Sequence, residues 1–178
     1  LVPSDGYKTR VPAGWLSLLV NAGDGIDLDV FLTRQPKDRM VRKLGQQLRI
    51  NRSKIKETSD TNTDFDDLDG AIRSGYFLKD GLSNNEDFYY LNLLITVTAS
   101  SVDDLEWKVA EMKKLLLSQD MDVQTCSFCQ EQAFLSSLPL VSLERQLYER
   151  SKRNVLTTGA ASCYPFTSYE MCDDNGIL

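Results

Sequence analysis

The stretch Phe88-Tyr-Tyr-Leu-Asn-Leu-Leu-Ile-Thr-Val-Thr98 decides the fold, and Ser101-Val-Asp-Asp104 follows it almost at once. Apolar side chains occupy every second position of the first stretch, and this period of two predicts a β-strand. In the second, Ser101 is a helix N-cap. The residues after it predict an α-helix, because one apolar stripe recurs at spacings of three and four: Val102, Leu105, Val109, Met112 and Leu116.

Two apolar segments precede this strand in the sequence. Trp15-Leu-Ser-Leu-Leu-Val20 is compact, and Asn21-Ala-Gly-Asp-Gly25 separates it from Ile26–Thr33. The later segment alternates, with Ile26, Leu28, Val30 and Leu32 on one face and Asp27, Asp29 and Thr33 on the other. The pair is predicted to form a hairpin whose second strand turns its acidic face to solvent.

Helices are predicted both before and after this strand along the sequence. Pro36 begins a helix over residues 36–56, whose apolar stripe is Met40 or Val41, Leu44, Leu48 and Ile55. A second helix begins at Asp64, with acids in its first turn, and is expected to end near Phe77. Shorter helices are predicted over Gln130–Leu138 and Leu143–Arg153.

The order of these elements indicates the fold class. Met121–Ser127 is predicted as a strand, which would complete a right-handed strand–helix–strand crossover. The prediction is an α+β fold: a mainly antiparallel sheet with helices packed on one face, in a two-layer, ferredoxin-like arrangement. Residues 1–156 form this domain. Residues 157–178 are predicted to be a linker and a first strand, because Asn175-Gly176 is a hairpin signal whose return strand holds only Ile177 and Leu178. We therefore expect the chain to be a piece of a longer protein.

The amino-acid composition excludes several kinds of catalytic and metal-binding site. The 178 residues carry a net charge of −6 and include no histidine, which excludes Ser-His and Cys-His nucleophile pairs and histidine-containing zinc sites. Cys126-Ser-Phe-Cys129 has the spacing of zinc ligands and redox thiols, although Cys163 and Cys172 are not paired in that way. Reduced, buried thiols are the favoured interpretation, and a zinc or redox protein is the alternative.

Other motifs point to no catalytic or cofactor site. Asp60-Thr-Asn-Thr-Asp-Phe-Asp66 imitates the start of a calcium-binding loop, but Phe65 and Ala71 stand where glycine and glutamate are needed. No glycine-rich phosphate loop occurs, and no apolar run is long enough to span a bilayer. We predict no catalytic, cofactor or metal residue in this chain.

Basic residues concentrate in the helix over 36–56, which holds eight of the chain's 20. Five are the candidate interaction surface: Arg39, Arg42, Lys43, Arg49 and Arg52. A solvated helix face is one alternative to a binding role, and charge pairing with the acids of residues 60–69, within the chain or between subunits, is another. A binding role would involve an acidic partner, anionic lipid or nucleic acid, and a nucleic-acid-binding module is the alternative function.

A resemblance to a known family is carried by the segment Ser151-Lys-Arg-Asn-Val-Leu-Thr-Thr-Gly-Ala-Ala-Ser-Cys-Tyr-Pro-Phe-Thr-Ser-Tyr-Glu170. It resembles the junction between the N-terminal and motor domains of conjugative-transfer ATPases of type IV secretion systems. The most similar are TraE/TrsE-type proteins of Gram-positive conjugative elements, within the CagE/TrbE/VirB family. Three further stretches look like that subfamily: Asp64-Phe-Asp-Asp-Leu68, Ser74-Gly-Tyr-Phe-Leu78 and Glu86-Asp-Phe-Tyr-Tyr-Leu91.

The resemblance implies a docking and oligomerisation domain, without its own nucleotide site, that precedes an ATPase motor domain. ATP and Mg²⁺ are expected in that motor domain only, so this piece is expected not to be an enzyme. Implied partners are inner-membrane components of a conjugation machine and other ATPase subunits, with peripheral membrane contact and no direct nucleic acid. The implied location is the cytoplasmic face of the cell membrane.

Overall fold

The computed structural model describes residues 1–8, 10–57 and 63–166. Its elements in chain order are α1 (Ser17–Val20), β1 (Ile26–Gln35), α2 (Lys37–Glu57), α3 (Thr63–Ser83), β2 (Phe88–Val97), α4 (Val102–Leu117), α5 (Gln130–Ser137), α6 (Arg145–Ser151), β3 (Arg153–Leu156) and α7 (Thr157–Ser162). The strands form an antiparallel sheet in the order β1-β2-β3, packed against helices, which confirms the α+β class. The predicted elements β2, α2, α4, α5 and α6 are also confirmed.

The described residues group into two compact units. The first unit contains residues 1–32 and 91–153 together with the described residues from Gly159 onward. The second unit contains residues 33–90 and 154–158. Each unit has its own buried residues.

In the first unit, buried hydrogen bonds connect β2 to its neighbours. Asn92 is fully buried, and its amide donates hydrogen bonds to the Ser151 hydroxyl (2.7 Å) and to the Tyr148 carbonyl (3.0 Å) of α6. The Leu93 N–H donates to the buried hydroxyl of Tyr7 (3.0 Å). Because a buried polar group without a partner is costly, these bonds offset part of the cost of taking the strand out of water. The Oδ1 atom of Asn92 is buried without a hydrogen-bond partner among the described residues.

The strand predicted over Met121–Ser127 is wrong. The Val2 N–H donates to the Leu93 carbonyl (3.3 Å), so the N-terminal segment runs beside β2. Residues 121–126 are irregular and hydrogen-bond to this segment, through Asp122 to Gly6 and through Gln124 to Leu1. The crossover unit is therefore absent, because another part of the chain already supplies the backbone partners.

The strand predicted over Ile26–Thr33 is confirmed as β1, but the hairpin that it was predicted to form with residues 15–20 is wrong. Residues 17–20 form the short helix α1, in which Leu16 and Leu19 are buried at a helical spacing of three. In β1, which is an edge strand, the predicted core face is partly open: Val30 is 37% exposed and Leu32 44%. Phe31, on the opposite face, packs against the first unit's core of Leu1, Leu94, Cys129 and Leu147.

In the second unit, α3 continues past its predicted end near Phe77 and stops only at Ser83. Gly81 lies inside the helix and does not end it. Glycine is needed there because Leu156 packs closely against its backbone. A Cβ there would lie 2.3 Å from Cδ1 of Leu156 in β3. The predicted linker over residues 157–162 is the helix α7 instead. The Glu86 carboxylate accepts hydrogen bonds from the N–H and hydroxyl of Thr158, which orders its start.

Tyr7→Phe removes the acceptor of the buried Leu93 N–H. We expect it to lower the free energy of unfolding by about 1–2 kcal/mol, because that donor is left without a partner. Equilibrium urea unfolding measures the change. Tyr164→Phe is the matched control, since its exposed hydroxyl makes no hydrogen bond to the described residues. Equal stability of the two variants would contradict the assigned role.

Asp29→Asn tests a carboxylate that β1 places in a partly desolvated position. Its Oδ2 atom is buried without a hydrogen-bond partner among the described residues. Burial, and then the charge of Asp27, raise the pKa of Asp29. The ionised form therefore costs stability above the folded-state pKa, and the cost vanishes below the unfolded-state pKa.

We expect Asp29→Asn to stabilise the protein at pH 7 by about 0.5–1 kcal/mol, a value reduced for solvent screening. The gain should fall towards zero as the pH is lowered below the ordinary carboxyl range. Thermal unfolding at several pH values measures it, with the exposed Asp27→Asn as a control of smaller effect. A gain that does not depend on pH would refute this explanation.

Candidate interaction surface

The candidate surface lies on a helical hairpin of the second unit. Helices α2 and α3 each have 21 residues, about 31 Å in length, and a five-residue connection joins them. Helix α2 buries Met40, Leu44 and Leu48, which confirms its predicted apolar stripe. The helices approach closely at Gly75, where a Cβ would lie 2.9 Å from Cδ2 of Leu48. This packing fixes which face of α2 remains in solvent.

All five predicted residues of α2 are exposed, but the structure divides them. Arg39, Arg42 and Arg49, which we call the arginine stripe, lie opposite the buried residues on the helical period. The stripe extends about 15 Å along the axis. None of its three guanidinium groups forms a hydrogen bond or an ion pair with any other residue that the structure describes.

The other two predicted residues flank the arginine stripe and contact tyrosines of their own unit. Lys43 donates from Nζ to the hydroxyl of Tyr90 (3.2 Å), and its ammonium lies 5.8 Å from the centre of that ring. Arg52 donates to the hydroxyl of Tyr76 (3.1 Å). Because both acceptors are neutral, these contacts orient the side chains without cancelling their charge.

Charge on the hairpin is unevenly distributed. Helix α2 holds eight basic and two acidic residues, a net charge of +6, whereas α3 holds two basic and five acidic residues, a net charge of −3. Within α3, Asp69 pairs with Arg73 of the same helix (2.6 Å). In the described ranges no carboxylate pairs with the arginine stripe. Residues 58–62, including the start of the calcium-loop-like sequence, lie outside those ranges.

Cys126 and Cys163 do not have the electrostatic setting of redox thiols. Cys126 is half-buried, and Cys129 and Cys163 are buried; all three are free. Burial raises the pKa of the Cys126 and Cys163 thiols, whereas a reactive thiol has a lowered pKa. Over residues 1–8, 10–57 and 63–166, no three His, Cys, Asp or Glu side chains are grouped to hold a metal ion. Cys172 and the predicted final strand lie outside these ranges.

An open groove in the first unit was not predicted from the sequence. It has a volume of about 400 Å³ and lies among the end of β2, α4, the segment 123–126 and α5. It stays open because the predicted α4 stripe is buried only at Met112 and Leu116, while Leu105 remains 37% exposed. One signal was available: residues 125–143 contain a single charged side chain, Glu131.

No protein-family model, curated protein or solved structure matches the chain. Among the helices that the structure describes, none combines the length and the apolar character needed to cross a bilayer.

Proposed function

We propose that the chain is a docking and oligomerisation module of a conjugative DNA-transfer ATPase, and that it binds an acidic protein surface through the arginine stripe. The observation that carries the proposal is the state of Arg39, Arg42 and Arg49. They share one solvent-facing side of α2 and have no carboxylate partner in the described part of the chain. Guanidinium groups bind carboxylates in a planar, two-pronged geometry, so this surface suits an acidic protein.

The sequence resemblance supports the biological setting. The segment 151–170 resembles the junction that precedes the motor domain in TraE/TrsE-type ATPases. In this proposal the acidic partner is an inner-membrane component of the conjugation apparatus or a neighbouring ATPase subunit. ATP and Mg²⁺ bind in the motor domain, and this module supplies position rather than chemistry.

Nucleic-acid binding is the second candidate, and one observation favours it. Tyr76 and Phe77 are exposed on α3, and Tyr76 contacts Arg52, which places an aromatic ring beside a cation. Against it, the second unit holds 11 basic and 10 acidic residues, a net charge of +1. Nonspecific nucleic-acid binding depends on phosphate neutralisation, and a nearly neutral unit attracts a polyanion weakly.

Reversing the arginine stripe tests the docking proposal. We expect Arg39→Glu, Arg42→Glu and Arg49→Glu together, in the full-length parent protein, to weaken binding to the isolated membrane complex at least about tenfold. The fold should persist, because the stripe makes no polar contacts with the described residues. Lys43 is left unchanged because it contacts Tyr90. Co-purification and the melting temperature are the measurements.

The matched control reverses three other exposed basic residues, Arg10, Lys79 and Arg145, and so changes the net charge equally. The docking proposal requires this control to bind as the wild type does. Equal losses in both triple variants would contradict it. A DNA titration at two salt concentrations separates the second candidate: salt-sensitive binding that the stripe variant loses would favour nucleic acid instead.

A further inference from the structure

We infer that the groove of the first unit is a binding site for a medium-chain fatty-acid anion, with its alkyl chain inside and its carboxylate at Lys113. This site is separate from the arginine stripe, and the inference goes beyond the docking function. It rests on the groove's size, on the chemistry of its walls and on the position of one unpaired cation.

The groove has the size and access that such a ligand needs. Its volume of about 400 Å³ lies within the usual range for small-molecule sites, which is roughly 300–1,000 Å³. A methylene group takes up about as much space as a water molecule, ~30 Å³, so a chain of ten or more carbons fits. Entry is open, since Phe134 on the α5 side is 64% exposed.

Three elements supply apolar walls. Ile95 and Val97 come from the end of β2, Val109 and Met112 from α4, and Ala133 and Phe134 from α5. Cys126 adds a thiol whose pKa burial raises, so the thiol itself is uncharged at neutral pH. The Leu1 ammonium beside it donates to the Gln124 carbonyl (3.0 Å). Such walls favour a hydrocarbon chain, and each buried methylene should strengthen binding about fourfold.

Lys113 selects the head group. Among the described residues that line the groove, it alone has a charged side chain. Its helical neighbours three and four positions away are all apolar: Val109, Ala110, Leu116 and Leu117. No acid in the described part of the chain pairs with it, whereas Lys114 pairs with Glu111 at 2.6 Å. An exposed ammonium beside an apolar groove complements a carboxylate on an alkyl chain.

Calorimetric titration of this chain with sodium octanoate, sodium decanoate and 1-decanol tests the assignment. We expect saturable binding of decanoate, about 15-fold tighter than octanoate because two methylenes are added. Decanol should bind more weakly than decanoate. Absence of saturable binding, or equal affinity for the two acids, would overturn the proposal.

Lys113→Gln and Lys114→Gln form a matched pair of neighbouring exposed residues. The first should weaken decanoate binding about two- to fivefold and leave decanol binding unchanged. The second should change neither affinity. If the two variants behave alike, the carboxylate does not bind at Lys113 and the proposal fails.

Ala133→Phe and Ala110→Phe make the same change inside the groove and on an exposed position of α4. Only the first should abolish decanoate binding. Since Ala133 also packs against the core, a second readout avoids dependence on that variant's folding. In the wild type, decanoate should slow alkylation of Cys126 by N-ethylmaleimide at least about fivefold at saturation, as measured by peptide mass spectrometry. An unchanged rate at Cys126 would overturn the proposal.

Discussion

Removal of strand β2 from water determines what its neighbours in each unit must provide. From Phe88 to Leu94 its side chains are buried on both faces except at Tyr89, so a polar group there is costly unless it has a partner inside the protein. In the first unit, Asn92 binds α6. In the second unit, Phe88 and Tyr90 pack edge to face (5.6 Å), and the Tyr90 hydroxyl contacts Met40 of α2. The orientation of α2, and with it the exposed arginine stripe, follows from that burial.

The spacing of apolar residues correctly predicted those helices and strands whose structure depends mainly on their own sequence. The strand β2 and the helix α2 follow from apolar spacing and from Pro36, and both are present. The wrong predictions at Met121–Ser127 and at the end of α3 concern segments whose structure depends on contacts with residues far away in the sequence. Residues 121–126 hydrogen-bond to the N-terminal segment instead of forming a strand, and Leu156 requires a glycine inside α3 that looked like a helix end. Such contacts join residues far apart in sequence and leave no periodic trace.

The candidate interaction surface could be predicted only in part from the sequence. Charge counting identified the basic helix, because eight cations in one segment are visible without coordinates. It could not separate the arginine stripe from Lys43 and Arg52, since that division depends on two tyrosine hydroxyls. The groove was not predicted, because it exists only where α4 fails to close over the end of β2.

Site-specific photocrosslinking from Gln46 in the full-length parent protein, in conjugating cells, tests the central claim most directly. Gln46 is exposed on α2 between Arg42 and Arg49, so a crosslinker there reports what contacts the stripe. The account predicts adducts with a membrane-complex protein or a second ATPase subunit, and none of these from a crosslinker at Ala110. Adducts with nucleic acid alone, or the same pattern from both positions, would contradict it.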